Sequence, residues 1–370
     1  MYNACLKYII ICCFLSACFS TKLLANSKDS LKVMEATDET TTTIFKVLKS
    51  QQIQEVTIQT NIGQIMEGKR TIDNFPATLI FTDKAGNILK KSIELTPRGK
   101  SRRNYCDFPP LRVKFSKEQL LERGIRKDHK SLKLVTHCNE GLMANHNVLK
   151  EFLAYKIYHE LTDNSLDVQL LKVNYEDTQS DTKLEKYAIL LEDIDEFAES
   201  INGKEIEGYG KTWKDFEKEN GNTLALFQYM IGNEDWDILN YRNIKYIQLK
   251  DTKTIIAVPY DFDSSGFVST AYAKPDPNLK MQSVKQRFFM GKFNNKSARE
   301  ATIDLFKSKE KTVYQLVDEF ELLEEISKLE LKEYVDSFYK TIHSPKLIER
   351  AFPVKRKRAE KSDLEGEMHF

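Results

Sequence analysis

The sequence predicts an α+β protein in two parts, a β-rich first part carrying one main helix and a mainly helical second part. Two observations carry this. Between Gln54 and Leu191 most apolar residues recur in short period-two runs, interrupted by one long stretch, Asn145 to Leu161, with a period near 3.6. From Thr212 onward the pattern is mainly helical, broken by one polar loop and a single strand pair.

Taken in order, Val56–Thr60, Ala77–Thr82 and Ile88–Leu95 read as strands, the last two joined by the hairpin-type turn Asp83–Asn87. A turn-like Thr96–Arg103 leads to strand Leu111–Phe115, a short helix near Lys117–Arg123 and strand Leu132–His137. The amphipathic helix 145–161 follows, with Val148, Leu149, Phe152, Leu153, Ile157 and Leu161 on its apolar face. Strands at Val168–Val173 and Tyr187–Leu191 complete the first part. A helix over Trp213–Ile231, the loop Asn233–Asn243, strands Ile244–Leu249 and Ile255–Val258, and several helices within Ala298–Phe352 make up the second.

The 370 residues include 56 Lys and Arg against 55 Asp and Glu, with 41% apolar and 30% charged residues, which excludes collagenous, mucin-like and wholly disordered classes. A formal net charge of +1 gives no long-range field to gather nucleic acid, so no nucleic-acid partner is expected. Met1–Ala17 reads as an export signal: Lys7 precedes an apolar run of about ten residues, too short for the ~20 that span a bilayer. Leu15-Ser-Ala-Cys18 is similar to a bacterial lipobox, which makes Cys18 the candidate lipidation site. Ordinary signal-peptidase cleavage after Ser20 is the alternative. The chain is therefore read as 1–18 signal, 19–50 tether, 51–97 an extra β-layer, 98–195 first lobe, 196–354 helical second lobe and 355–370 charged tail. It is expected as a monomer at the periplasm, outer membrane or cell surface, meeting the membrane through its lipid anchor only. Of six cysteines, Cys106 and Cys138 lie beyond the signal. In an oxidising compartment they are candidates for a disulfide, with two separate buried thiols or a zinc site with His137 and His146 as alternatives.

The chemistry concentrates in Asn233-Glu-Asp235-Trp-Asp237-Ile-Leu-Asn240, followed some twenty residues later by Pro259-Tyr-Asp261-Phe-Asp263. Phosphoryl transfer needs a carboxylate to orient the attacking hydroxyl and oxygen ligands for a divalent cation. Asp235 with Asn240 five residues on has the spacing of a protein-kinase catalytic loop. Asp261-Phe-Asp263 then stands where a kinase metal-binding Asp would. Asp237 or Asp263 could take over a metal-ligand role. There is neither a G-x-S-x-G nor an H-E-x-x-H motif for hydrolase chemistry.

Together with Arg98-Gly-Lys-Ser-Arg102, Leu132-Lys-Leu134, and Tyr187 through Glu192-Asp-Ile-Asp195, these motifs resemble the CotH-like family, named for spore-coat protein H. The resemblance covers about Arg98 to Gly266, and the Cys106–Arg112 element C-D-F-P-P-L-R is similar to an exported Bacteroidetes-type branch. The resemblance implies a two-lobed atypical protein-kinase-like fold and ATP-dependent phosphorylation of Ser or Thr in another exported protein, with Mg²⁺ or Mn²⁺. Carried over by position, Asp235 is the catalytic carboxylate, and Asn240 and Asp261 hold the metal. Arg98 to Arg103 lies where a nucleotide-covering loop would, and its backbone amides with Arg98, Arg102 or Arg103 hold phosphates. Lys133, or alternatively Lys114, contacts phosphate, and Glu151, with Glu160 as a less central candidate, pairs with that lysine. Glu192 belongs to the adenine-facing connector. Only Gly99 is present in the loop, and no His-Arg precedes Asp235. A non-catalytic scaffold binding a protein or glycan is accordingly the alternative to the kinase.

Overall fold

The computed structural model describes residues 42–52, 54–139 and 141–354. The expected signal, the lipidation site Cys18, most of the tether and the charged tail lie outside the described residues. Helix α1 (Ile44–Ser50) comes first, and its N-cap Thr43 accepts from the Lys46 N–H. Strand β1 (Glu55–Thr60), helix α2 (Ile62–Glu67), strands β2 (Phe75–Thr82) and β3 (Ile88–Pro97) and the single turn of helix α3 (Arg102–Tyr105) follow. Next are β4 (Leu111–Phe115), α4 (Lys117–Leu121), β5 (Ser131–Val135), the long helix α5 (Leu142–Leu161), β6 (Val168–Asp177) and β7 (Lys183–Leu191).

These seven strands form one closed barrel in the order β1-β2-β3-β4-β5-β7-β6, closed by parallel pairing of β1 with β6. Alternation along each strand sends Val56, Ile58, Leu79, Ile93, Val113, Leu132, Val173 and Leu190 into a common apolar interior. The strands before Arg98 are thus not an extra β-layer: without them the barrel would have two open edges. Nor does a tether extend to residue 50. Ile44, Phe45 and Leu48 of α1 are buried in the barrel core, and its cap and polar face bond to residues just past the end of β7 and just before the start of β6. There Thr43 Oγ1 donates to Glu196 Oε1 at 2.6 Å, and Lys49 pairs with Asp167.

The second half opens with α6 (Ile194–Ser200), capped by Asp193, and strand β8 (Gly203–Ile206). Helix α7 (Lys218–Ile231), strands β9 (Ile244–Leu249) and β10 (Ile255–Pro259), and helices α8 (Lys296–Ser308), α9 (Glu310–Asp318), α10 (Glu325–His343) and α11 (Pro345–Ala351) complete it. The strands form a small antiparallel sheet ordered β10-β9-β8. Helix α7 starts at Lys218 rather than Trp213. The Glu217 carboxylate caps it by accepting from the Glu219 and Asn220 N–H groups, and Phe216 is held extended by a bridge to Ile255. Helix α5 is the shared element. Its buried Leu149, Leu153, Ile157 and Tyr158 belong to the same apolar cluster as Phe227, Phe262, Phe306 and Phe338 of the helical half. The architecture is therefore mixed α+β, a sheet-rich half and a helical half joined across α5. No helix among the described residues is long and apolar enough to cross a membrane.

Gly232 ends α7 in the left-handed region at φ 61°, immediately before the Asn233–Asn243 loop, and a Cβ there would stand 2.0 Å from the Tyr334 hydroxyl oxygen. Gly232→Ala should therefore cost about 1–3 kcal/mol, read as a lower urea midpoint. An unchanged midpoint would mean that Tyr334 yields without cost.

Candidate functional site

Four carboxylates from three distant chain segments come within electrostatic reach of one another: Glu151 on α5, Asp235 in the loop after α7, and Asp261 and Asp263 just after β10. Asp261 is held in the left-handed region, at φ 64°, which a residue with a Cβ rarely adopts. Two side chains one turn apart on α5 fix this kink. The Asp261 N–H donates to the Tyr155 hydroxyl at 2.9 Å, and the Phe262 N–H points at Glu151 Oε1, 3.4 Å away. Phe262 itself packs between Tyr155 and Phe227, anchoring the turn in the core.

Burial, followed by the neighbouring Asp263, pushes Asp261 up to about 6, although Arg102 and Arg98 act in the opposite direction. Glu151 is raised well above the ordinary carboxylate range by burial and then by Asp263 and Asp261. Asp263 is buried and accepts a hydrogen bond from the Tyr272 hydroxyl at 2.8 Å. Burial also raises Asp235, opposed first by Arg242, whose Nε lies 3.4 Å from Asp235 Oδ1.

The cations divide into two groups. Arg102 is buried among the carboxylates. Its Nη2 donates to the Thr136 carbonyl at 2.7 Å and its Nη1 lies 3.8 Å from Asp263 Oδ2. Burial alone would lower its pKa, but Tyr272, Asp263, Glu151 and Asp261 together hold it raised. Beside Asp261, and outside this group, stands Arg98, with Lys133 next to it and with Asp193 and Glu205 as the acids acting on Lys133. Burial lowers Arg98, and Asp261 is the first charge to oppose that. Lys133 is brought down to about 8 by burial and then by Arg98 and Lys245, and its Nζ sits 5.0 Å from the centre of the Tyr260 ring. Among the described residues, no carboxylate oxygen lies within 4.0 Å of either Arg98 or Lys133. Two adjacent half-buried cations without a close counter-ion suit an anionic ligand.

Several expectations are corrected. Arg102, expected to hold phosphate, is instead buried beside Asp263 and Glu151, so Glu151 faces Arg102, not Lys133. Lys114 is remote from the cluster: it projects from β4 and pairs with Glu94 on the neighbouring strand. Asn240 is exposed, and its amide is occupied by Asp237 Oδ2 at 2.6 Å in an Asx-type turn. The asparagine that reaches Asp235 is Asn243, whose Nδ2 donates to the Asp235 carbonyl at 2.6 Å and to Oδ2 at 3.0 Å. Glu192 is turned to the start of β6, where its Oε2 accepts from the Asp167 N–H at 3.0 Å, and burial raises it to about 7. Glu160 forms an ion pair with Lys309 at 3.7 Å. Cys106 and Cys138 are joined to each other, which removes the zinc alternative. His137 is buried, stacks on Phe108 with ring centres 4.9 Å apart, and is pushed by burial down to about 3.

Tyr155, Tyr272 and Asn243 are site residues that the sequence reading missed. Tyr155 had a detectable signal, since it lies four residues after Glu151 and so shares its helix face. Tyr272 had none, because its approach to Asp263 depends on the loop path after Gly266. Among the described residues, a different group, Asp128, His129 and Glu199, has its potential ligand atoms within 4.8 Å of one another. Arg126 pairs with both of those acids, so that group reads as an ion-pair network.

Two openings border the carboxylates. One, about 490 Å³, is lined by Asp235, Arg242, Tyr105, Ser264, Tyr272 and Pro277. The other, about 350 Å³, is lined by Arg102, Glu151, Tyr272 and the N-terminal end of α5.

No protein-family model matches the sequence, and no curated protein matches it. Among solved structures, the crystal structure of a Helicobacter pylori proinflammatory kinase, CtkA, superposes with a TM-score of 0.36 at 11% identity, over 66% of this chain and 95% of that one. Likeness at that level carries no argument, and the site's chemistry rests on its own geometry.

Two outcomes follow from that geometry. The raised value of Asp261 means that its charged form is disfavoured in the fold, a cost absent below about pH 4 and complete once the pH passes 6. Metal-free Asp261→Asn should therefore match the wild type at pH 4 and be more stable by roughly 1–3 kcal/mol at pH 7.5. A less stable variant at pH 7.5 would show that the charge is already compensated. Second, the Cys106–Cys138 bond spans a separation of 32 residues, so its reduction should remove about 3–4 kcal/mol on the chain-entropy model. Melting with and without reductant reads this directly, and an unchanged melting temperature would count against it.

Proposed function

We propose that the chain is a CotH-like, two-lobed atypical kinase that transfers phosphate from ATP to Ser or Thr hydroxyls of another exported protein. The observation that carries the reading is the electrostatic proximity of Asp235, Asp261 and Asp263, with Arg98 beside Asp261 and Lys133 next to Arg98. The chain order supports it too: the strand that bears Lys133 is followed by the helix that bears Glu151, then by β6 and β7, which leads to Glu192.

The residues present fit a divalent cation, since buried carboxylates with raised pKa values are short of positive charge. Asp261 and Asp263 would hold the ion, which supplies neutralisation of charge on the phosphates when bound. Arg98 and Lys133 bind the phosphate oxygens from the barrel side. Glu151 and Tyr155 keep the Asp261 turn in its kinked form, so the carboxylate is positioned before any ligand arrives. Asp235, oriented by Asn243 and steadied by Arg242, accepts the hydrogen bond of the acceptor hydroxyl, and the larger opening lets an acceptor side chain reach it. A second reading, a non-catalytic exported scaffold, is favoured by the outward turn of Asn240 and by the single glycine of the covering loop.

Thermal denaturation separates the two. ATP with Mn²⁺ at a hundred times its dissociation constant should add about 2.7 kcal/mol of stability. Asp261→Ala should abolish that gain. Asp235→Asn should keep it while lowering phosphoryl transfer by roughly 10²–10⁴-fold. No response of the wild type to nucleotide or metal would leave the scaffold reading standing.

A further inference from the structure

We propose that Arg102 is a resident cation that limits the carboxylate cluster to a single divalent ion, an inference that rests on the nucleotide and metal reading above. Two-metal phosphotransfer sites place their ions about 3.5–4 Å apart and share carboxylate oxygens between them. Here a guanidinium already lies among those oxygens. It is 3.8 Å from Asp263 Oδ2, and Glu151 and Asp261 both act on its charge.

Charge compensation gives the same result. Arg102, 3.8 Å from Asp263 Oδ2, already offsets part of the negative charge of Glu151, Asp261 and Asp263, and a single divalent ion supplies what the cluster still lacks. Asp235 has its own partner in Arg242. Arg98 faces Asp261 from the barrel side, next to Lys133, where the phosphates are expected. A second divalent ion would have to enter against the guanidinium, and a guanidinium cannot give way by losing its proton.

Arg102 is also fixed in place. Its Nη2 is bonded to the Thr136 carbonyl, two residues before Cys138. Cys106, which follows the helix carrying Arg102, is joined to Cys138, and the Phe108 N–H donates to the Cys138 carbonyl at 3.0 Å. The stretch that receives the guanidinium therefore also holds the helix that supplies it. Swinging Arg102 out would leave the buried Glu151 and Asp263, and the half-buried Asp261, without that cation.

The test is a calorimetric Mn²⁺ titration of the full chain, saturated with a non-hydrolysable ATP analogue, with bound ions counted independently by electron paramagnetic resonance. The wild type should bind one ion per chain. Arg102→Gln should bind two, and Arg102→Lys, which keeps the charge, should bind one. Two ions on the wild type, or one ion at unchanged affinity on a folded Arg102→Gln chain, would overturn the inference while leaving the phosphotransfer reading intact. Should Arg102→Gln not fold, the wild-type and Arg102→Lys counts decide, two ions on either overturning it. A wild type that takes up neither nucleotide nor Mn²⁺ overturns the underlying reading and this inference together.

Discussion

The structure depends on a concentration of buried negative charge that the fold must keep in place. Carboxylates removed from water repel one another and lose hydration. They persist only where cations, hydrogen-bond donors or protons compensate them. Here compensation comes from several elements at once: Arg102 from the loop between β3 and β4, Tyr155 and its neighbours on α5, Tyr272 from the chain beyond Gly266, and Arg242 beside Asp235. None of these acts alone, and the left-handed backbone at Asp261 is the local strain that their combined packing maintains.

The barrel makes such precision mechanically reasonable. An open sheet ending at β3 would leave the strand that leads to Arg98 with a free edge and a large amplitude of twist. Closure through β1 and β6 removes that freedom. Helix α1 reinforces the closure from outside. Its apolar face enters the barrel core, while Thr43 and Lys46 meet Glu196 on α6, just past the end of β7. The segment that joins the two halves is thus braced by residues from the beginning of the described chain. On the other side, Phe108 is buried against His137 and Tyr175, so the loop bearing Arg102 is anchored by an aromatic plug as well as by the disulfide.

Most elements were legible in the sequence because their signals were local. Period-two runs located every barrel strand, and the 3.6-residue period located α5. What was not legible was closure. Nothing in Val56–Thr60 reveals that its partner is Val173 rather than another strand of a separate layer. Helix α1 was hidden by the Thr-rich stretch before it, whose last threonine is its cap. In the site, Asp235 and Asp261 stood out through motif order, whereas the asparagine was misassigned. Fixed spacing pointed to Asn240, but Asp237 draws that amide into a turn and leaves Asn243 to reach Asp235. Local competition for hydrogen bonds decided this, and a linear spacing rule has no access to it.

The pairing of Glu151 follows the same logic on a larger scale. A lysine on β5 and a glutamate on α5 are the partners that element order suggests, yet Lys133 stacks near Tyr260 and is repelled by Arg98 and Lys245, while Glu151 faces Arg102. An arginine reaches farther than a lysine and offers a planar fork with several donors, so it can bond a backbone carbonyl and face carboxylates at the same time. With that role filled from the loop, Lys133 is freed from the internal ion pair and left beside Arg98. The site thereby keeps an inward cation that offsets part of the charge of its own carboxylates and two further cations, Arg98 and Lys133, left for a ligand that brings negative charge. Such a division lets Arg102 hold the cluster together during folding, before any ligand is bound, while the charge it leaves uncompensated is what a bound cation would neutralise.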